Sequence, residues 1–404
     1  VQPKNNQLPP QFWLLALIGL INSISFTSII PLLYPYAKQF GLSDFQASLL
    51  VTAYAISQFI GTPILGKLSD VLGRKPLLLI SLLGTVVAGL VAAFTPFVTL
   101  LYTARILDGL TGGNVSIARA VISDTIPPEQ RPKAFGVFDA MFRLGFVAGP
   151  SLSYLAQTIP PVPGVSRVGM GFFVAAGMAL VAAILTLIWL PETVQEKREF
   201  RLRWRDFGLG HIVKSAMRPK LGPLFLSTFF SGFSFTIFAF AFQPFFLKVL
   251  GQNEKTLAML FALFGILGFV AQIFGLDPLV KRFNLVDILA IALLTRGILF
   301  LLMPTFPSLP AFLFFSIFFG FANAYPLPLI NSLLSFNSSD REQGEIFGIN
   351  ASYLGISNAF GPAIGGILVG LSYQTPFWIT GILTILTAWF AYRLKAKVEV
   401  KSGK

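Results

Sequence analysis

Twelve long, mostly apolar stretches run through this chain, at about 12–33, 46–66, 77–95, 98–122, 133–157, 168–190, 222–249, 254–275, 285–304, 309–335, 345–371 and 375–394. Each holds about the 20 residues that a helix needs to cross the hydrocarbon layer of a bilayer. Lipid offers no partner to backbone N–H and C=O groups, so only helices or closed barrels can span it. Continuous runs of this length, without strict alternation, select helices. The composition agrees: 54% of residues are hydrophobic and only 12% charged, against about 25% charged in soluble domains. The expected fold class is an all-α membrane protein with twelve transmembrane helices.

The connections alternate in character. One set is basic, with Lys67, Arg74 and Lys75, then Arg131 and Lys133, Lys281 and Arg282, Arg341, and the tail from Arg393 to Lys404. The other set is short and nearly neutral, as at Thr95-Pro96 and Tyr373 to Pro376. Basic loops stay on the cytoplasmic side, which puts both termini inside and requires an even number of spans. The net charge of +13 is therefore read as topology rather than as affinity for nucleic acid. The chain has no cysteine and one histidine, His211, so no metal centre and no thiol or imidazole catalysis is expected. The first apolar run is too long for the core of a cleavable leader, and none is expected. Asn337-Ser-Ser339 fits a glycosylation pattern but falls on the expected inner side, where it has no meaning.

The longest hydrophilic segment, 191–221, carries eight basic residues between Lys197 and Lys220 and divides the spans six and six. Trp204 and Phe207 within it suggest a short amphipathic helix on the inner membrane surface. The halves repeat at an offset of 212 residues: Phe135-Gly136 falls on Phe347-Gly348, Gly149-Pro150 on Gly361-Pro362, and Ser123 on Ser335. The expected organisation is a six-helix bundle over 1–190, a basic linker over 191–221, and a second, pseudo-symmetric six-helix bundle over 222–404. Internal repeats of this kind mark many transporters, with the substrate bound between the repeats near the midplane.

Between the second and third spans the chain reads Gly66-Lys-Leu-Ser-Asp70-Val-Leu-Gly73-Arg74-Lys75-Pro. Glycines permit a tight turn, and Asp70 and Arg74, four apart, can pair. In order and position this stretch resembles the signature of the major facilitator superfamily. That resemblance implies a gating latch built from Gly66, Asp70, Gly73 and Arg74, with Asp124 joining through Arg74. The corresponding stretch of the second half, Gly275 to Asn284, lacks the Asp-Gly-Arg core. A phosphate-binding loop is excluded, because Gly61 to Lys67 is followed by Leu68 rather than Ser or Thr and has no strand context.

The fifth span carries Gly136, Gly145, Gly149 and Pro150. This resembles the fifth-helix motif of the twelve-helix drug:proton antiporters, the tetracycline-efflux-like branch, although Ser153-Tyr154 replaces its final glycine pair. Small residues at such spacing also serve ordinary close helix packing. On the fourth span Arg105, Asp108, Gly112, Ser116 and Arg119 recur every three or four residues and make one polar stripe. The resemblance implicates Arg105 in proton handling. Asp139 and Arg143 on the fifth span lie outside the family pattern.

Each charge at the centre of a span costs about 2.5–3.5 kcal/mol on insertion scales, so partners are expected. Depth along the helices suggests two pairs across spans 4 and 5, Asp108 with Arg143 and Asp139 with Arg119. Protonating an acid would then free an arginine for an anionic substrate group; the alternative is a permanent structural network. The first span has Asn22, Ser23, Ser25, Thr27 and Ser28 as donors but no acid. Arg296 is the one clear charge within the later spans. The ninth helix is peripheral in the family, so Arg296 is expected to pair or to snorkel. Phe229, Phe230, Phe233, Phe235 and Phe238 suit an apolar substrate wall or lipid-facing packing.

The function expected from residues and resemblance together is secondary transport by alternating access, as proton-coupled efflux of a drug or metabolite. Two alternatives stand beside it: uptake or symport of an organic anion by the same fold, and a non-transporting receptor or channel. No enzyme constellation is present in the sequence. No cofactor is expected beyond the proton as coupling ion. The expected partners are a small-molecule substrate and the bilayer, with no nucleic acid and a monomeric state, in a bacterial-type inner membrane.

Overall fold

The computed structural model describes residues 8–194, 209–339 and 342–396. Trp204, Phe207, Arg341 and the basic residues from Lys197 to Arg205 lie outside them. The described elements are helices: α1 Pro10–Gln39, α2 Asp44–Leu72, α3 Arg74–Phe94, α4 Val98–Leu110, α5 Asn114–Thr125, α6 Arg131–Ala156, α7 Gly169–Trp189, α8 Leu209–Ala216, α9 Gly222–Pro244, α10 Glu254–Val270, α11 Leu276–Arg282, α12 Leu285–Leu302, α13 Leu309–Asn323, α14 Pro326–Phe336, α15 Gln343–Leu371 and α16 Thr375–Arg393. Five-residue π turns, Phe245–Val249 and Ala271–Gly275, extend α9 and join α10 to α11.

Ten helical segments among the described residues are long and apolar enough to cross a bilayer. The fourth span departs from a single helix because it breaks at Thr111, Gly112 and Gly113 between α4 and α5. The fifth, α6, is a continuous 26-residue helix but carries Arg131, Lys133, Asp139 and Arg143. These two complete the twelve. At the 212-residue offset the break of the fourth span falls on Asn323, Ala324 and Tyr325, where the tenth span breaks between α13 and α14.

The chain divides into two compact units, Val1–Tyr36 with Ser57–Arg203, and Ala37–Ile56 with Trp204–Lys404. Within the first, Leu15, Leu82, Ile117, Ile122 and Phe138 belong to a buried, mainly aliphatic cluster. The second holds an aliphatic cluster around Leu289, Leu333 and Ile346. It also holds an aromatic one, in which Phe238 packs 4.4 Å from Phe300 and 4.8 Å from Phe319, centroid to centroid. Burial alone does not separate span interior from lipid surface, because lipid is as apolar as the side chains. Close approach through small residues and hydroxyls does the holding. Ser23 Oγ donates to the Phe142 carbonyl at 2.6 Å and Thr27 Oγ1 to that of Gly145 at 2.7 Å, fastening α1 to α6. The second unit repeats this seam between α9 and α15, where Thr236 Oγ1 donates to the Ser357 carbonyl at 3.0 Å.

Candidate functional site

The Arg74 cluster lies at the junction of α2 and α3. Helix α2 runs on to Leu72, so Gly66 and Asp70 sit on a helix and the connection is Gly73 alone. A turn role for Gly66 is therefore corrected; a β-carbon there would meet Ser116 Oγ at an ordinary 3.6 Å. Gly73 is required, because its φ of +113° is one that other residues rarely adopt. A side chain there would also collide with the Glu192 carboxylate. Arg74 is buried and reaches three acceptors: Asp70 Oδ1 at 2.6 Å, Asp124 Oδ2 at 2.8 Å and Ser69 Oγ at 2.7 Å.

Glu192, just past the sixth span, completes this cluster, and sequence reasoning missed it. Its carboxylate accepts from the backbone N–H of Arg74 at 2.9 Å and of Lys75 at 3.2 Å. The residue before α3 is a glycine with no capping side chain, so Glu192 caps the helix from 118 residues away. Thr193 Oγ1 donates to Asp124 at 3.3 Å. Burial raises the Glu192 carboxyl pKa, but backbone N–H donors from Val194, Arg74, Thr193 and Lys75 outweigh it and hold the group below the ordinary glutamate value. An acid directly after an apolar run was the available signal, and nothing local connected it to residue 74.

The second set of charges lies along α4, α5 and α6. Arg105 Nη1 pairs with Asp108 Oδ2 at 2.8 Å, and both residues are buried. The partner of Asp108 is thus one turn away in its own helix, not Arg143 across the spans; Thr85 on α3 also hydrogen-bonds it. Arg119 Nη2 and Asp139 Oδ1 lie 2.9 Å apart, joining α5 to α6. Their side chains are about half exposed, 52% and 42%. A charged pair at this depth avoids lipid, so this face is one that meets water. Arg143, one turn beyond Asp139, is exposed too. Asn22 on α1 accepts from Asn114 Nδ2 at 2.9 Å, where α5 begins. The two line a cavity of about 10 Å³ with Leu78, Ala118 and Phe138, at the lower limit for one water.

The fifth-span glycines divide by contact. β-carbons at Gly145 and Gly149 would run into Ser23 and Thr27 of α1, while Gly136 faces open space. Helix α6 continues through Pro150. Gly361, the repeat of Gly149, is closed by Thr236 in the same way.

The sequence matches the profile of the Major Facilitator Superfamily over residues 15–220 and 224–404. The chain belongs to that superfamily. It is a multi-pass membrane transporter rather than an enzyme, with the two-halved fold of the family. It is 27% identical over 361 residues to "Multidrug resistance protein 2" of Bacillus subtilis (strain 168), covering 89% of this chain and 88% of that one. It is also 27% identical over 382 residues to "Tetracycline resistance protein, class B" of Escherichia coli, covering 92% and 91%. Among solved structures, the human organic anion transporter MFSD10 matches with a TM-score of 0.70 at 22% identity, over 95% of this chain and all of that one. At that identity the likeness shows the fold alone.

Within this superfamily member, the structure brings together Asp70, Arg74 and Asp124; Arg105 and Asp108; and Arg119 and Asp139. Sequence reasoning also missed the glutamines that meet the two broken spans. Gln272 Nε2 donates to the Ala324 carbonyl at 3.0 Å, and Gln58 Nε2 makes a longer contact of 3.5 Å to that of Gly112. A glutamine inside an apolar run was a visible cue, but its partner was not.

Proposed function

We propose that this transporter exports a drug-like, amphipathic compound in exchange for protons by alternating access, as a monomer with both termini in the cytoplasm. The six-span halves 1–190 and 222–404 act as the moving bundles, joined by the basic segment 191–221. The observation that carries the reading is the buried Arg105–Asp108 pair on a helix that breaks three residues later. A carboxylate held only by an arginine and a threonine is ready to take a proton when that arginine is drawn to another partner. Arg119 and Asp139, on the water-facing side, supply a second acid–arginine pair for proton or substrate. The Arg74 cluster ties the ends of spans 2, 3 and 4 and the segment after span 6 into the gating latch of the first unit. The names of the curated relatives, multidrug and tetracycline resistance proteins, support the substrate class and the direction. Tetracycline itself is not proposed, because the first span offers Asn22 and hydroxyls and no acid.

Everted membrane vesicles energised to an acidic interior test this directly. Adding a transported compound should alkalinise the interior, and Asp108→Asn should abolish that response while substrate still binds. Undiminished proton-coupled transport in both Asp108→Asn and Asp139→Asn would refute the coupling role.

A further inference from the structure

Three arginines are buried among the described residues: Arg74, Arg105 and Arg296. The first two are each held by at least one carboxylate. Arg296, on α12, is 2% exposed, and no carboxylate lies within ion-pair distance of it among the described residues. It neither pairs with an acid nor snorkels, contrary to the expectation from its peripheral span. Its guanidinium is turned into the second unit. Nη1 donates to Asn323 Oδ1 at 3.2 Å, and Nη2 donates to the Ser231 carbonyl at 3.1 Å, Ser231 Oγ at 3.0 Å and Ser234 Oγ at 3.4 Å. Thr384 Oγ1 in turn donates to Ser234 Oγ at 3.0 Å. Nε donates to nothing, and the Phe300 ring stands 5.9 Å from the guanidinium carbon.

These acceptors are all neutral. They engage both Nη nitrogens but leave the charge itself uncompensated, and in a low-dielectric interior an uncompensated ion is strongly disfavoured. A fold that keeps such a cation, with one donor still open and hydroxyls gathered beside it, is built for a negative charge that arrives from outside the chain. We infer that Arg296, with Ser231, Ser234, Asn323 and Thr384, forms an occluded site in the second unit for one small monovalent anion, either a free halide or a compact carboxylate. The chemistry follows from the donor set. A single guanidinium matches one negative charge, and the confined hydroxyl and amide groups favour a small ion over a bulky one. The site shares no residue with the acid–arginine pairs of the first unit, so its existence does not depend on the direction of transport proposed above.

The test uses the purified full-length protein in detergent, with its unfolding midpoint measured in sodium chloride, sodium formate and sodium gluconate at matched ionic strength. Gluconate is too bulky for the site and is the reference. Binding of the native state alone raises the midpoint, and a shift of about 2–5 °C over gluconate is expected from a well-occupied site. A shift with chloride identifies a halide site; a shift with formate but not chloride identifies a carboxylate-selective one. Arg296→Gln should remove the shift. Because that variant can fail to fold, Asn323→Asp is the second arm. It places a carboxylate where an oxygen already lies 3.2 Å from Nη1, and should raise the midpoint in gluconate and abolish the anion dependence. Equal midpoints of the native protein in all three salts would overturn the inference. So would an anion shift that persists undiminished in Asn323→Asp.

Discussion

The two units share a scaffold and differ in chemistry. At the 212-residue offset each has a span that breaks at the same place, before Asn114 and before Pro326. Each has a glutamine of the preceding span pair reaching the carbonyl of that break, Gln58 to Gly112 and Gln272 to Ala324. Each closes a glycine of its fifth helix against a threonine of its first, Gly149 on Thr27 and Gly361 on Thr236. The ionisable groups do not repeat. Arg105 and Asp108 fall on Ile317 and Gly320, and Arg119, paired with Asp139, falls on Asn331, which accepts from Asn350 at 2.9 Å. Where the first unit has Gly84 packed against Thr111, the second has Arg296 bonded to Asn323. Backbone breaks and close contacts are thus what the architecture itself requires. Among the described residues, charge within the spans is what the two copies have divided between them, acid–arginine pairs in one and a buried arginine with neutral partners in the other.

That division is tested most severely at the buried pair. Arg105→Met leaves Asp108 buried without its cation and should cost about 3–5 kcal/mol of stability. The double variant Arg105→Met with Asp108→Met imitates the apolar second unit and should recover most of the loss in a detergent unfolding assay. It should still show no proton-coupled transport. Equal destabilisation by single and double variants would mean that the pair is not a coupled unit.

If the glycine–threonine seams are architectural, their disruption should be costly in both units alike. Gly149→Ala and Gly361→Ala should each destabilise by about 1–3 kcal/mol, the usual range for overpacking. Gly136→Ala, with open space around it, should change stability by no more than about 1 kcal/mol and in the favourable direction. A loss at Gly149 without one at Gly361 would break the equivalence of the seams.

Smaller still is the structural weight of the exposed pair. Arg119→Gln should alter stability by no more than about 1 kcal/mol, because half-exposed ion pairs contribute little. Transport should nevertheless fall if the pair handles protons or substrate. The corresponding change in the second unit, Asn331→Gln, should leave both properties close to the native values.

How much of this was legible in sequence depended on distance along the chain. Periodic apolar runs, the basic loops and the 212-residue repeat are local or self-comparing signals, and they led to the fold. The Asp70–Arg74 pair is four residues apart and was readable from helix geometry, as was an Arg119–Asp139 pairing from depth along two adjacent spans. Depth alone gives Asp108 a partner in the next span because it ignores rotation about the helix axis; Arg105, three residues away, is on the same face and nearer. Arg296 departs from its expectation because a family-level placement of its helix says nothing about which way the side chain turns. Glu192 carries no readable assignment, since capping a helix from 118 residues away along the chain leaves no local spacing to read.

Glu192 also allows the smallest and most specific comparison, because among the described residues the second unit has no counterpart of the Arg74 cluster. Its carboxyl is held below the ordinary glutamate value in the folded protein, burial opposing and four backbone donors prevailing. A group with a depressed folded pKa contributes its stabilisation fully above the unfolded value, about 4.3 for glutamate, and loses it as pH falls through the lower folded value. Glu192→Gln keeps an acceptor oxygen but removes the charge, so the variant should be slightly less stable than the native protein near neutrality. The gap should narrow as pH drops below about 4 and vanish once the native carboxylate is protonated. Hydrogen exchange at the start of α3 should report the same loss, because the Arg74 and Lys75 amides are the donors that Glu192 holds. The Thr375 amide at the start of α16, from which Ser372 Oγ accepts at 3.0 Å with no acid in that first turn, should show no such pH dependence. Parallel behaviour at both helix starts would mean that the capping charge is irrelevant and that the cluster is held by Arg74 alone.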